Sequence, residues 1–191
     1  LGLSTYGFGH AVSSGFRVAD DFTVPAAGWH INTITFFAYQ TGSTTTSTIN
    51  QVNVRIWNAV PPGGTVVFGD TTTNRMTTSA WSSDWRSLDT STCGTTRPIM
   101  ASVVTINQDF AAGTYWVDWQ TGGTLASGPW APPVSIVGQT AKPASNALQY
   151  DPTAATWNAA IDTGTALAQQ DFPFIIDGTV LPVELQKLTI E

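Results

Sequence analysis

Acid, base or metal chemistry in this 191-residue chain would have to come from two histidines and thirteen carboxylic residues. His10 lies in the glycine-rich opening YGFGHAVSSG, and His30 follows AAGW at an expected turn. No H-E-x-x-H or paired Cys/His spacing is present, and no G-x-S-x-G elbow. A Ser-His-Asp triad assembled in space stays open. A glycosidase needs two acids, one with a raised pKa. The two glutamates, Glu184 and Glu191, both fall in the last segment, so an Asp–Asp pair is the version left open. No residue is singled out as catalytic, and the expectation is a protein that is not an enzyme.

Asp20 and Asp21 are the acids whose placement asks for an explanation. In FRVADDFTV, strict alternation puts Asp20 on the face of Phe16, Val18, Phe22 and Val24. A buried carboxylate needs a partner. Three readings compete: a bulge turns it outward, a main-chain or arginine bond satisfies it, or it binds Ca2+ with loop oxygens. No cofactor is expected beyond that one possible ion, and no D-x-D-x-D-G loop supports it.

The eight tryptophans point to binding rather than reaction. An aromatic face suits the apolar C–H surface of a sugar while neighbouring polar groups take its hydroxyls. Trp81 and Trp85 in AWSSDWRS have the same parity, which in a regular strand sets them on one face, roughly 13 Å apart. With Trp130 in SGPWAPP they are the candidate glycan-binding residues. Trp116 and Trp119 have opposite parity, so one of the two should pack in the core. Core or edge filling is the competing explanation for each.

These residues would be positioned by strands. Period-two alternation or β-branched and aromatic runs mark 16–24, 31–40, 52–57, 65–69, 99–107, 114–120, 134–138, 146–150 and 172–177. Turn clusters such as TGSTTTST, PPGG and SGPWAPP separate them, and no run has helical periodicity. The fold class expected is all-β, an antiparallel β-sandwich of jelly-roll-like form. One domain covers 1–179, opening with the glycine-rich segment 1–15. Residues 180–191, VLPVELQKLTIE, form a terminal strand. There Val183 and Leu185 share one face, and Leu188 and Ile190 share a face after a change of phase.

Charged residues are 10% of the chain and the net charge is −6, which argues against nucleic acid and anionic membranes. Solubility resting on Thr and Ser hydroxyls is a trait of extracellular β-proteins. The chain starts at Leu1 without a leader or membrane span, as a processed secreted product would. The single cysteine, Cys93, is either a buried thiol or a link between chains.

RVADDFTVPAAGWHINTITFFAYQTGSTTTSTINQVNVRIWN resembles the opening of a domain that recurs in large bacterial surface and extracellular proteins. GDTTTNRM, TTRPIM, AGTYWVDWQTGGTLASGPWAPPV and FPFIIDG continue that resemblance in order, over roughly 16 to 178. It implies a β-sandwich and carries no catalytic residues. LPVEL followed by a short alternating strand resembles the stretch preceding the sorting region of proteins exported by the type IX pathway. That implies a secreted or outer-surface destination.

Two functions are expected from different classes. The first is a secreted structural subunit that polymerises with copies of itself by strand exchange. Val183, Leu185, Leu188 and Ile190 would be the self-assembly residues, and segment 1–15 the alternative donor. The second is a carbohydrate-binding or adhesive surface module, with a polysaccharide partner at Trp81, Trp85 or Trp130. A polysaccharide hydrolase or lyase is the third.

Overall fold

Alternation is what places the side chains. In Arg17–Val24, residues Val18, Asp20, Phe22 and Val24 are buried. In Ile49–Trp57, Val52, Val54 and Ile56 are buried. A computed structural model describes residues 1–88, 91 and 94–182. In chain order the strands are β1 (Phe8–Gly9), β2 (Arg17–Val24), β3 (Trp29–Ala38), β4 (Ile49–Trp57), β5 (Val66–Gly69) and β6 (Met76–Trp85). They continue as β7 (Pro98–Phe110), β8 (Gly113–Gly123), β9 (Trp130–Ala131), β10 (Leu148–Asp151), β11 (Thr156–Ala159) and β12 (Phe174–Val180).

The fold is all-β, an antiparallel β-sandwich. One sheet has the order β11-β10-β2-β8-β4-β5, the other β12-β3-β7-β6, and β1-β9 form a two-stranded ribbon. The consecutive strands β2 and β3 lie in different sheets, as do β7 and β8. Each pairs with its counterpart, β2 with β8 and β3 with β7. That first-to-last wrapping gives the sandwich its jelly-roll character. Between the sheets, Val18, Ile34, Phe36, Val54, Val104, Val117 and Trp119 belong to one core cluster. Trp119 of one sheet stacks on Phe36 of the other, with ring centroids 4.8 Å apart.

Two expectations need correcting. The run 134–138 is not a strand. Pro132 and Pro133 precede it and can donate no ladder bonds, and its Val137 side chain lies fully in solvent. Parity holds at Trp116 and Trp119: Trp119 packs in the core between the sheets, while Trp116, also buried, belongs to the outer face. Trp81 and Trp85 are not spread along a regular strand. Trp81 pairs with Met100 and Trp85 with Pro98, so Ser82–Asp84 bulge out opposite Ile99, with Ser83 at φ 72°. The bulge brings the two indoles edge to face, 5.4 Å apart. Cys93 and the terminal residues Val183, Leu185, Leu188 and Ile190 lie outside the described residues.

The outer face of the six-stranded sheet is organised by one acid. Asp118 of β8 has no solvent-accessible side chain, and it accepts from Arg17 Nε on one oxygen. The other oxygen accepts from Arg55 Nε, Arg55 Nη2 and Trp57 Nε1. Burial pushes its pKa up, opposed by Arg55, Arg17 and the Trp57 N–H. These partners are all donors, which suits a carboxylate. The Arg17 guanidinium in turn lies 3.8 Å from the Tyr150 ring centroid and 5.3 Å from that of Trp157, while Arg55 lies 4.7 Å from Trp57. An amide at position 118 would turn an N–H₂ toward these donors and leave two half-buried cations uncompensated. Asp118→Asn should therefore cost about 3–5 kcal/mol of unfolding free energy in urea titrations; a loss below about 1 kcal/mol would show that the outer face holds without it.

Candidate functional site

The best-built hollow lies where three separated segments meet around Trp130. The short strand β9 pairs with β1, Gly9 opposite Trp130 and Phe8 opposite Ala131. On its other side Trp130 exchanges both main-chain bonds with Tyr39, at 2.9 and 3.0 Å. Its backbone is thus fixed by the amino-terminal segment and by the end of β3. Gly128 makes room for the indole: its φ is +88°, and a Cβ there would stand 2.6 Å from the Trp130 ring. Gly7 does the same on the opposite side, since a Cβ would meet the Tyr39 hydroxyl at 2.8 Å and Trp130 Cβ at 2.9 Å. The indole N–H points to Ser127 Oγ at 3.3 Å.

Trp130, half-buried, stands as a wall between two hollows. One, of about 460 Å³, is lined by Tyr6, Tyr39, Arg97, Trp130, Gln149 and Thr163 among others. The second, of about 470 Å³, lies toward Ala11, Ser13, Ser14 and Phe16. Gln149 reaches both and is anchored by donating from Nε2 to the Gly9 carbonyl at 2.8 Å. The Arg97 guanidinium lies 3.8 Å from the Tyr6 ring centroid. Burial pushes the Tyr39 phenol up to about 12, with Arg86 and Arg97 pulling against it, so it stays an O–H donor at neutral pH.

The floor of this region is held by ionic groups that do not face the hollow. Arg86 donates from Nε to the Tyr6 carbonyl at 2.6 Å, from Nη2 to the Thr5 carbonyl at 3.0 Å, and from Nη1 to Ser135 Oγ at 2.7 Å. Asp162 accepts from the main-chain N–H groups of Ser4, Thr5 and Gly164. Burial works against its charge, but those three donors together hold its carboxyl below the usual range. The glycine-rich segment 1–15 is therefore engaged within its own chain.

The other candidates are placed differently. Trp81 packs against the small cluster of Ala38, Ile49 and Met100 and donates its N–H to the Asp84 carbonyl. Trp85 leans on Trp81 and lines a separate hollow with Ser82, Pro132 and Pro133. Neither joins Trp130. His10 is fully buried, and neither ring nitrogen makes a hydrogen bond, although the backbone of Phe8 and Pro129 lies alongside. Burial lowers its pKa to about 3. His30 is a surface residue, its Nδ1 on Asp109 and Nε2 near Asn107; the Asp109 bond raises its pKa. The two histidines share no site. No cluster of three or more metal-ligating side chains forms among the described residues.

Asp20 and Asp21 diverge across β2, so they do not converge on one ion. No bulge turns Asp20 outward. Its Oδ2 accepts from Phe172 N at 2.7 Å and its Oδ1 from Asp21 N at 2.8 Å. The main-chain reading of its burial thus holds. Burial raises its pKa to about 7, helped by the nearby Asp171, which itself binds Lys142.

Tyr6, Tyr39, Arg97 and Gln149 were not singled out by sequence. The one signal was scarcity: Arg97 is one of only seven cations in the chain. No family model matches the chain, and it matches no curated protein and no solved structure.

The Asp20 pKa fixes the sign of a pH effect. A raised folded-state value means a contribution fully present below the unfolded value of 3.8 and lost as pH rises through about 7. His10 acts oppositely, favouring the fold above 6.5 and losing that contribution as pH falls toward about 3. The wild-type profile mixes the two, so the informative quantity is the difference from a variant. Asp20→Asn should gain on the wild type by roughly 2 kcal/mol between pH 5 and 8, read from urea midpoints. A pH-independent difference would show that Asp20 is charged throughout.

Proposed function

We propose that this chain is a carbohydrate-binding module of an extracellular surface protein, binding through the hollow beside Trp130. The observation that carries the reading is an indole with a fixed backbone, lining a hollow that also presents phenol, hydroxyl, amide and guanidinium groups beside apolar surface from Phe8 and Ile161. An indole face takes the C–H side of a pyranose, and the polar rim takes its hydroxyls. The hollow's size falls within the range of small-ligand pockets, ~300–1,000 Å³. No acid or histidine is among its described lining residues, which favours binding over hydrolysis. No helix among the described residues is long and apolar enough to cross a membrane. The extracellular placement is supported by the hydroxyl-rich, charge-poor composition and by the sequence resemblance.

Titration calorimetry against a panel of neutral and acidic oligosaccharides tests this. Trp130→Ala should weaken binding roughly tenfold or more. Trp81→Ala should leave it unchanged, because that ring belongs to a different cluster. A panel with no ligand, or equal affinity in Trp130→Ala, would rule out the hollow as a glycan site.

A second reading, assembly by strand addition, is favoured by one feature. Strand β12 is an edge of the four-stranded sheet, and Ile175 and Val180 on it are more than half exposed. It leads directly into residues 183–191, and such an edge accepts a further strand. The Leu181 N–H still bonds the Gly28 carbonyl, so a chain ending at Pro182 preserves that contact. Electron microscopy should show filaments from the full chain and single particles from the shortened one. Filaments from both would exclude the carboxy-terminal donor.

A further inference from the structure

We infer that the ligand of the Trp130 hollow is an acidic sugar, a pyranose bearing a carboxylate that Arg97 receives. The inference rests on the carbohydrate-binding reading and narrows it to a charge class.

The distribution of arginine partners points there. Arg17 and Arg55 share Asp118, and Arg75 binds Asp70. Among the described residues the remaining two, Arg86 and Arg97, bond no carboxylate, and both border this region. Arg86 is buried and occupied by two carbonyls and a serine. Arg97 is only half-buried, and among the described residues its guanidinium makes one hydrogen bond, a long 3.5 Å contact from Nη1 to Thr96 Oγ1. Its guanidinium face is used against Tyr6. Stacking consumes the face of a guanidinium and leaves the N–H fork at its edge free, the geometry that receives a carboxylate bidentately.

Charge supports the same ligand. Among the described residues Arg97 is the single charged side chain lining the hollow, in a chain where acids outnumber bases 13 to 7. Asp162, the nearby acid, is turned to three main-chain N–H groups. One unpaired cation matches one carboxylate. The indole face opposite still requires a ring with an apolar side, which a small inorganic anion lacks. The Tyr39 hydroxyl, against Gly7 and Trp130, adds a neutral donor on the same wall.

The experiment compares a galacturonic acid trimer with its methyl ester, which keeps the sugar and removes the charge. By calorimetry at low salt the acid should bind roughly tenfold more tightly than the ester. The preference should shrink as salt is raised. Arg97→Gln should bring the acid down to the affinity of the ester, and Arg97→Lys should keep part of the preference. Circular dichroism and urea midpoints establish that both variants are folded. Equal binding of acid and ester, a preference that survives Arg97→Gln, or no binding of either trimer would overturn the inference. Neutral oligosaccharides that bind and depend on Trp130 would then leave the carbohydrate reading standing; their failure as well would remove both.

Discussion

A carboxylate sealed from water must be held by its neighbours, and much of this sandwich is arranged around one such group. Asp118 sits at the centre of the six-stranded sheet and binds arginines from the strands on both sides, β2 and β4. Each arginine then serves as a floor for aromatic rings: Tyr150 and Trp157 beyond β2, and Trp57 on β4. The cation–π contacts add to the ion pairs because a guanidinium offers its edge and its face to different partners. A single acid thereby couples five strands. Its reach extends to the candidate site, since Gln149, beside Tyr150 on β10, anchors the Gly9 carbonyl at the wall of the hollow.

The amino-terminal segment shows how a glycine-rich stretch can be ordered without a core of its own. Its carbonyls at Thr5 and Tyr6 are taken by Arg86, and its N–H groups at Ser4 and Thr5 by Asp162. Opposite charges thus grip opposite sides of the same short backbone. Small residues are needed because Trp130 and Tyr39 lie against it, with no room for a Cβ at Gly7. The segment is a wall of the hollow, and its order is set by Arg86 and Asp162, eighty or more positions away in the chain.

What could be read from sequence follows from how local each cause is. Alternation within one strand is local, so the inward faces of β2 and β4 were legible, and so was the burial of Asp20. Parity gave no account of the burial of Trp116, because a residue on the outer face can also be covered by what packs over the sheet. It failed at Trp81 and Trp85, where the bulge at Ser82–Asp84 arises from pairing with β7 and leaves no mark in AWSSDWRS itself. The run 134–138 has the composition of a strand, but two prolines before it deny it a ladder. Of the hollow, only Trp130 was visible. Tyr6, Tyr39, Arg97 and Gln149 come from four distant stretches, and only the register of the sheets brings them together.

The same geometry explains why Trp130, and not the more conspicuous Trp81–Trp85 pair, is the better platform. A ring that binds a sugar must be immobile before the sugar arrives, or the ordering cost comes out of the affinity. It must also keep a face uncovered. Trp81 and Trp85 meet the first condition by packing on each other, and in doing so use part of the surface a ligand would need. Trp130 is immobilised through its main chain, between Gly9 and Tyr39, and through the indole N–H on Ser127. Those contacts lie at the backbone and the indole N–H, and the side chain still lines the hollow. A binding site of this kind can be built from a two-residue strand, provided both neighbours of that strand are themselves tied to the sandwich.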